Sequence, residues 1–211
     1  MADEIIEHEA ASALVVRPAA FQDTGQARLV EAAQEGQAQA QAQLYDRFAP
    51  HAQRVLLRCL GSSDELADAL QDVFVEVFQC IGKLRDPAAL KAWITRVAVY
   101  VARARLRRRA RRRWLRLAAP DDLPEIESQE ADPEVREALR ATYRVLDGLP
   151  ADERIAFALR VIEGMALREV AIACDCSLAT IKRRVRRAKQ RFAEEARGQS
   201  ALRPWLRGGA P

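Results

Sequence analysis

From Leu66 to Ile81 the large apolar residues recur at intervals of four, three, four and four (Leu66, Leu70, Val73, Val77, Ile81), with Phe74 and Phe78 widening the stripe. That spacing matches the 3.6-residue turn of a helix with one buried face and clashes with the two-residue period of a strand. Helical spacing resumes in LKAWITRVAVYVARARL (90–106), and again with Val135, Leu139, Thr142, Leu146 and Leu149 on one face, stopped by Pro150. Ile155, Leu159 and Ile162 form a further stripe, and Gly164 suits a C-terminal cap. No alternating pattern competes anywhere, so the chain is read as all-α, built as two small helical domains.

A length of 211 residues accommodates such a pair. Charged residues at 30% and hydrophobic residues at 49% exclude both wholesale disorder and a membrane-embedded protein. No run approaches 18 apolar residues, and the N-terminus (MADEIIEHEAASALVV) carries acids where a signal peptide needs bases, so a cytoplasmic protein without membrane insertion is expected. Cys59, Cys80, Cys174 and Cys176 show no disulfide framework and are read as reduced thiols. Cys174 and Cys176 form a CxC, but His8 and His51 are the only imidazoles and neither is near it. Packing or a turn position is therefore preferred to a metal or redox site. No catalytic residue, metal or cofactor is expected.

Five segments are expected. Residues 1–37 are an N-terminal extension, loose over 1–27, where Pro18 and Gly25 fall and no period is sustained. Residues 38–117 are the first helical domain, opening in the low-complexity but helix-compatible QAQAQAQ. Residues 118–135 are a flexible acidic linker, overlapping a tract from Asp121 to Glu137 that holds eight acids, one arginine and two prolines. Residues 136–194 are the second domain and 195–211 a tail, in which Trp205 and Leu206 are candidates for docking.

Three patterns carry chemistry. In LREVAIACDCSLATIKRRVRRAKQRF (167–192), Leu167, Val170 and Ala171 give a short helix. Cys174-Asp175-Cys176 makes a turn, because Asp tolerates a left-handed backbone, and Ser177 caps a second helix. Leu178, Ile181, Val185, Ala188 and Phe192 face the core, and between them lie Lys182, Arg183, Arg184, Arg186, Arg187, Lys189 and Arg191 with no acid. Like charges at that spacing repel, so the surface suits a polyanion, and two helices about a tight turn are the helix-turn-helix that enters a major groove. A second tract, Arg103 to Arg116, holds nine arginines, and Trp93, Arg96, Tyr100 and Arg103 share one helix edge. Aromatic rings stack unpaired bases while guanidinium groups hold phosphates; Trp93 in the core with solvated arginines is the alternative. Third, Asp64, Asp68, Asp72 and Glu76 recur every four residues opposite Leu66 and Val73, a docking face for a basic partner or a solvated face.

LYDRFAPHAQRVLLRCLGSSDELADALQDVFVEVFQ and LKAWITRVAVYVARARLRRR, paired with LPADERIAFALRVIEGMALREVAIACDCSLATIKRRVRRAKQRF, resemble the two conserved regions of bacterial RNA polymerase sigma factors of the extracytoplasmic-function group, over about residues 38–117 and 136–194. The resemblance implies that the first block, region two, binds the β′ clamp helices of core RNA polymerase through Asp68, Gln71 and Asp72. It implies that the Lys83–Pro87 loop, with Lys83 and Arg85, captures a flipped minus-ten base beside Trp93, Arg96, Tyr100 and Arg103. It further implies that region four reads the minus-thirty-five element of promoter DNA through Ser177, Ala179, Thr180, Lys182, Arg183, Arg184, Arg186 and Arg187. Core polymerase, including its β flap, promoter DNA and an anti-sigma factor are the implied partners. The chain departs from the family's usual residues at Tyr100 (often Asn), Ala104 (often Asp) and Asp175 (commonly Gly).

Two other classes compete. A stand-alone helix-turn-helix repressor or activator has no use for an acidic docking helix beside an aromatic and arginine surface. A DNA-processing enzyme requires a nucleophile with an activating base or a metal cluster, and no such set is present in the sequence.

Overall fold

The computed structural model describes residues 24–61, 65–115 and 132–204, and every regular element among them is helical. None of these helices is long and apolar enough to cross a membrane.

The first body is organised around α2 (Ala38–Leu60), whose Leu44, Ala52, Val55, Leu56 and Cys59 are wholly buried. Its first turns come from the QAQAQAQ run, where Ala and Gln cost little in a helix and Ala40 is buried. The helix stops at Gly61, left-handed at φ 70°, whose N–H bonds Leu57 O. A Cβ at Gly61 would lie 2.2 Å from the Tyr143 ring, so both backbone and space require glycine. On α2 pack α3 (Leu66–Cys80) and α4 (Leu90–Leu115), which also touch each other. The buried side of α3 is Leu66, Ala69, Val73, Phe74 and Val77, with Leu70 and Phe78 half-buried at its edges. In α4, Leu90, Ile94, Ala98, Val99, Ala102 and Leu106 face inward. Each Leu- or Ile-sized side chain so buried is worth about 1.5–3 kcal/mol.

Helix α1 (Thr24–Gln34) belongs to this body, although the sequence there reads as part of an extension. Its Val30 and Ala33 are each 1% exposed, and it packs on α2 and on the two 3₁₀ turns Ile81–Lys83 and Pro87–Ala89 between α3 and α4. Only two large apolar residues, Leu29 and Val30, announce it.

The second body holds α5 (Pro133–Asp147), α6 (Ala151–Phe157), α7 (Leu167–Ala173) and α8 (Leu178–Ala196). Asp132 caps α5 by accepting from the Glu134 N–H, Pro133 fills the first helical position, and Glu134 suits the positive end of the helix dipole. The acidic tract therefore turns helical at 133, and the reading of the linker's last residues, 133–135, as flexible is corrected there. The face of α5 also differs from expectation. Ala138, Ala141, Val145 and Leu146 are buried, whereas Leu139 stays 36% exposed. Alanines let α5 approach Phe192 and Ala196 of α8 and Leu202 of the Ser200–Leu202 turn closely, a stripe that a search for large residues overlooks. Leu202 is buried, so the segment after α8 is in part core. Trp205 and Leu206 lie outside the described residues.

The chain leaves α6 through a π-helical turn, Ala158–Ile162, and Gly164 (φ 76°) with the Met165 N–H on Leu159 O ends it. Phe157 stacks on Phe192 with ring centroids 4.9 Å apart, fixing α6 to α8.

The two bodies touch. α4 packs on α6 and α7, α2 packs on the π turn, and Val170, Ala171 and Ile181 join the same apolar cluster as the α2 and α4 core. Arg154 of α6, 1% exposed, ties the two bodies together. It donates from Nε to Cys59 O (2.7 Å) and from Nη2 to Leu60 O (2.7 Å), and pairs with Asp147. Burial lowers its pKa from the ordinary guanidinium value while Asp147 opposes that shift.

Candidate nucleic-acid interface

The helix-turn-helix forms as its sequence dictates. Val170, Ala171 and Ala173 seat α7, Asp175 takes φ 50°, the one left-handed non-glycine among the described residues, and Ser177 Oγ accepts from the Thr180 N–H at 3.2 Å. Ile181, Val185 and Ala188 are buried, Phe192 packs in the second core, and Leu178 is only half-buried at the helix start. The opposite face exposes Ala179, Lys182, Arg183, Arg186, Arg187 and Lys189, with Ser177 exposed at the cap and Thr180 half-buried. A capped N-terminus flanked by exposed cations places donors and positive charge where phosphates and base edges approach a recognition helix. Arg184 stands apart: half-buried, it reaches Asp152 Oδ2 at 3.1 Å and Cys176 Sγ at 3.6 Å.

Cys59 and Cys174 are packed in the core, whereas Cys80 and Cys176 are half-buried. Cys174 is 3% exposed and burial pushes its pKa up to about 12; Cys59 is raised to about 12 for the same reason. Among the described residues no cluster of three or more His, Cys, Asp or Glu side chains could hold a metal ion.

On the first body, Trp93, Arg96, Tyr100 and Arg103 do follow one edge of α4, all half-buried. Trp93 and Tyr100 lean against the core while keeping part of their rings open. Trp93 and Arg96 join Lys83, Leu84, Arg85, Asp86 and Ile172 of α7 around a pocket of about 250 Å³. Tyr100 and Arg103 do not line it. Arg103 instead donates to Asp152 Oδ1 (2.8 Å) and Cys174 O (3.1 Å). Asp152 thus holds one arginine from each arginine-rich helix, Arg103 and Arg184, with Arg107 at 3.8 Å. Nothing in sequence spacing marks Asp152 for that position, because its partners lie 49 and 32 residues away.

The acidic helix is only partly free. Asp68, Gln71 and Asp72 are exposed on α3, but Asp72 pairs with Arg105, and Glu65 takes Arg105 and Arg109 at 3.8 and 3.3 Å. Asp64 lies outside the described residues. Beside these acids Tyr45, Gln71, Phe74, Val75 and Phe78 border a shallow apolar groove, and Tyr45 and Val75 are exposed at 40% and 47%. An apolar groove rimmed by acids suits a protein surface that brings both greasy and basic side chains.

Comparison with known proteins agrees with this geometry. The family described as sigma-70 region 2 matches residues 44–112, and that described as sigma-70, region 4 matches residues 139–192. The chain is 27% identical to the RNA polymerase sigma-H factor of Pseudomonas aeruginosa, over 85% of this chain and 95% of that one. It is 28% identical to the ECF RNA polymerase sigma-E factor of Escherichia coli K12, over 77% and 89%. In fold it is similar to CnrH, solved in complex with the cytosolic domain of CnrY, with a TM-score of 0.56 at 23% identity, covering 82% of this chain and 97% of that one. The sigma factor RpoE of Bartonella quintana, solved with the anti-sigma factor NepR, also gives 0.56 at 22% identity, covering 74% and 96%. The chain belongs to the sigma-70 family in its extracytoplasmic-function type: a non-enzymatic sigma factor with regions 2 and 4 that binds core RNA polymerase and DNA and directs promoter recognition at transcription initiation.

Proposed function

We propose that the duties of this sigma factor divide by surface, with residues 38–117 and 136–194 as its two working domains in the cytoplasm. Asp68, Gln71 and Asp72, with the groove beside them, take the β′ clamp helices of core polymerase. Lys83, Arg85, Trp93, Arg96, Tyr100 and Arg103 bind and melt the minus-ten element. Ser177, Ala179, Thr180, Lys182, Arg183, Arg184, Arg186 and Arg187 read the minus-thirty-five element. The observation that carries this reading is the pair of unlike surfaces on one chain. A capped helix with exposed cations suits duplex DNA, and a half-open aromatic edge with arginines suits an unpaired strand.

The Asp152 bridge supports dependence on polymerase. While one carboxylate holds Arg103 and Arg184 together it competes with phosphate for both, so engagement of the promoter is favoured by separation of the two bodies on core enzyme. An anti-sigma partner is proposed by analogy with the two solved complexes, which hold CnrY and NepR.

The test is Tyr100→Ala in reconstituted holoenzyme. Core binding and minus-thirty-five contact should stay near parental while permanganate reactivity of minus-ten thymines falls about tenfold, a stacked base being worth about 1–3 kcal/mol. A template already mismatched at minus ten should restore transcription. Parental opening by Tyr100→Ala would remove that ring from the melting surface.

A further inference from the structure

Helix α1 lies outside both matched regions, yet it grips the loop between α3 and α4 at both ends. Gln34 Nε2 donates to Ile81 O and to Leu84 O, each at 2.9 Å, so one side-chain amide uses both of its N–H groups on a single short turn. Gln26, two helical turns earlier, donates to Pro87 O at 2.6 Å. Within the loop, Leu84 N–H bonds Ile81 O, Ala89 N–H bonds Asp86 O, and the Asp86 carboxylate accepts from the Ala88 N–H. Val30 and Ala33, buried between these glutamines, fix the helix itself. The grip comes from behind, since Lys83, Arg85 and Asp86 remain exposed and border the pocket with Trp93 and Arg96.

Magnitude separates positioning from stability here. Gln34 is exposed, so water competes for its donors and the bonds add little to global stability. Their geometric effect is larger, because three carbonyls within seven residues are pinned to a helix that is itself fixed by burial.

We propose that α1 is the brace of the minus-ten loop, with Gln34 and Gln26 as positioning residues that hold Lys83–Pro87 in the form that discriminates the extruded base. This rests on the reading of that loop given above. Two independent readouts are needed. One is hydrogen exchange at the amides of Lys83 to Asp86 in the full chain. The other is minus-ten discrimination by holoenzyme, the ratio of open complex on a promoter to that on its single-base minus-ten variants.

Gln34→Ala should speed loop exchange about tenfold and lower discrimination by about the same factor, with the melting temperature near parental. Gln34→Glu, equal in size but without donors, should do the same. Val55→Ala in the α2 core should lower the melting temperature and leave discrimination intact. Parental exchange and discrimination in Gln34→Ala, retained discrimination in Gln34→Glu, or discrimination that merely follows melting temperature across all three variants would each overturn the brace. Arg85→Ala separates the two layers. If it leaves discrimination parental while Gln34→Ala still loosens the loop, the assignment of the loop to the minus-ten element fails and the brace stands as a structural device only.

Discussion

Helices α4 and α8 are both crowded with arginine, yet they divide it differently: α4 exposes Arg107, Arg108, Arg111 and Arg112 but turns three others onto its neighbours. On α8, Lys182, Arg183, Arg186, Arg187 and Lys189 face water, and Arg184 and Arg191 find carboxylates on α6. On α4, Arg103, Arg105 and Arg109 are each drawn onto acids or carbonyls of neighbouring elements: Asp152, Asp72, Glu65, Leu60 O and Cys174 O. A run of cations is therefore not one kind of surface. What decides its duty is whether the fold brings carboxylates to it, and a bridge to an acid ties the chain together as readily as a bridge to phosphate would tie it to DNA.

The sharpest way to break this contrast is at an arginine wholly given to architecture. Arg154→Ala should cost about 3–5 kcal/mol in urea unfolding, since it strands Asp147 and the Cys59 carbonyl and leaves Leu60 O to Arg109 alone. A loss below about 1 kcal/mol would place Arg154 with the solvated cations.

Asp152→Asn sits between the two helices. It should cost only about 1 kcal/mol, because its ion pairs are a fifth to a quarter exposed and screened by solvent. It should also expand the free chain in small-angle scattering and tighten its binding to minus-thirty-five duplex about threefold. Unaltered scattering and affinity would mean that Arg103 and Arg184 are held by other contacts.

The smallest effects compare matched positions. Arg105→Ala should lower stability by about 0.5–1 kcal/mol and leave the salt dependence of DNA binding alone. Arg186→Ala should leave stability unchanged and reduce the salt slope by about one phosphate contact. The reverse outcome would exchange the roles assigned to the two helices.

Most of the fold was legible in short-range pattern. The α7–α8 turn follows from Asp175, Ser177 and the spacing of Ile181, Val185 and Ala188, all local physics. The face of α5 was misjudged because Ala138 and Ala141 bury little area themselves yet admit a neighbouring helix, whereas Leu139 offers bulk with nothing to cover it. Helix α1 was hidden for the same reason, its periodic residues being mostly Ala and Gln. Of the candidate site, the exposed cations of α8 were legible and the fates of Arg103, Arg105 and Arg184 were not, because each was settled by an acid tens of residues distant.

The end of α2 shows what such distant partners accomplish. A helix accumulates partial negative charge on its last carbonyls, and its own chain ordinarily leaves these to water. Here Leu60 O receives Arg109 from α4 as well as Arg154 from α6, and Cys59 O receives Arg154. The negative pole of the central helix in one half of the protein is thus neutralised in part by the other half. If the halves part as proposed for promoter engagement, Arg109 of the same half would still be in reach of Leu60 O while Cys59 O would lose its Arg154 donor, so any fraying of α2 would be confined to its final turn.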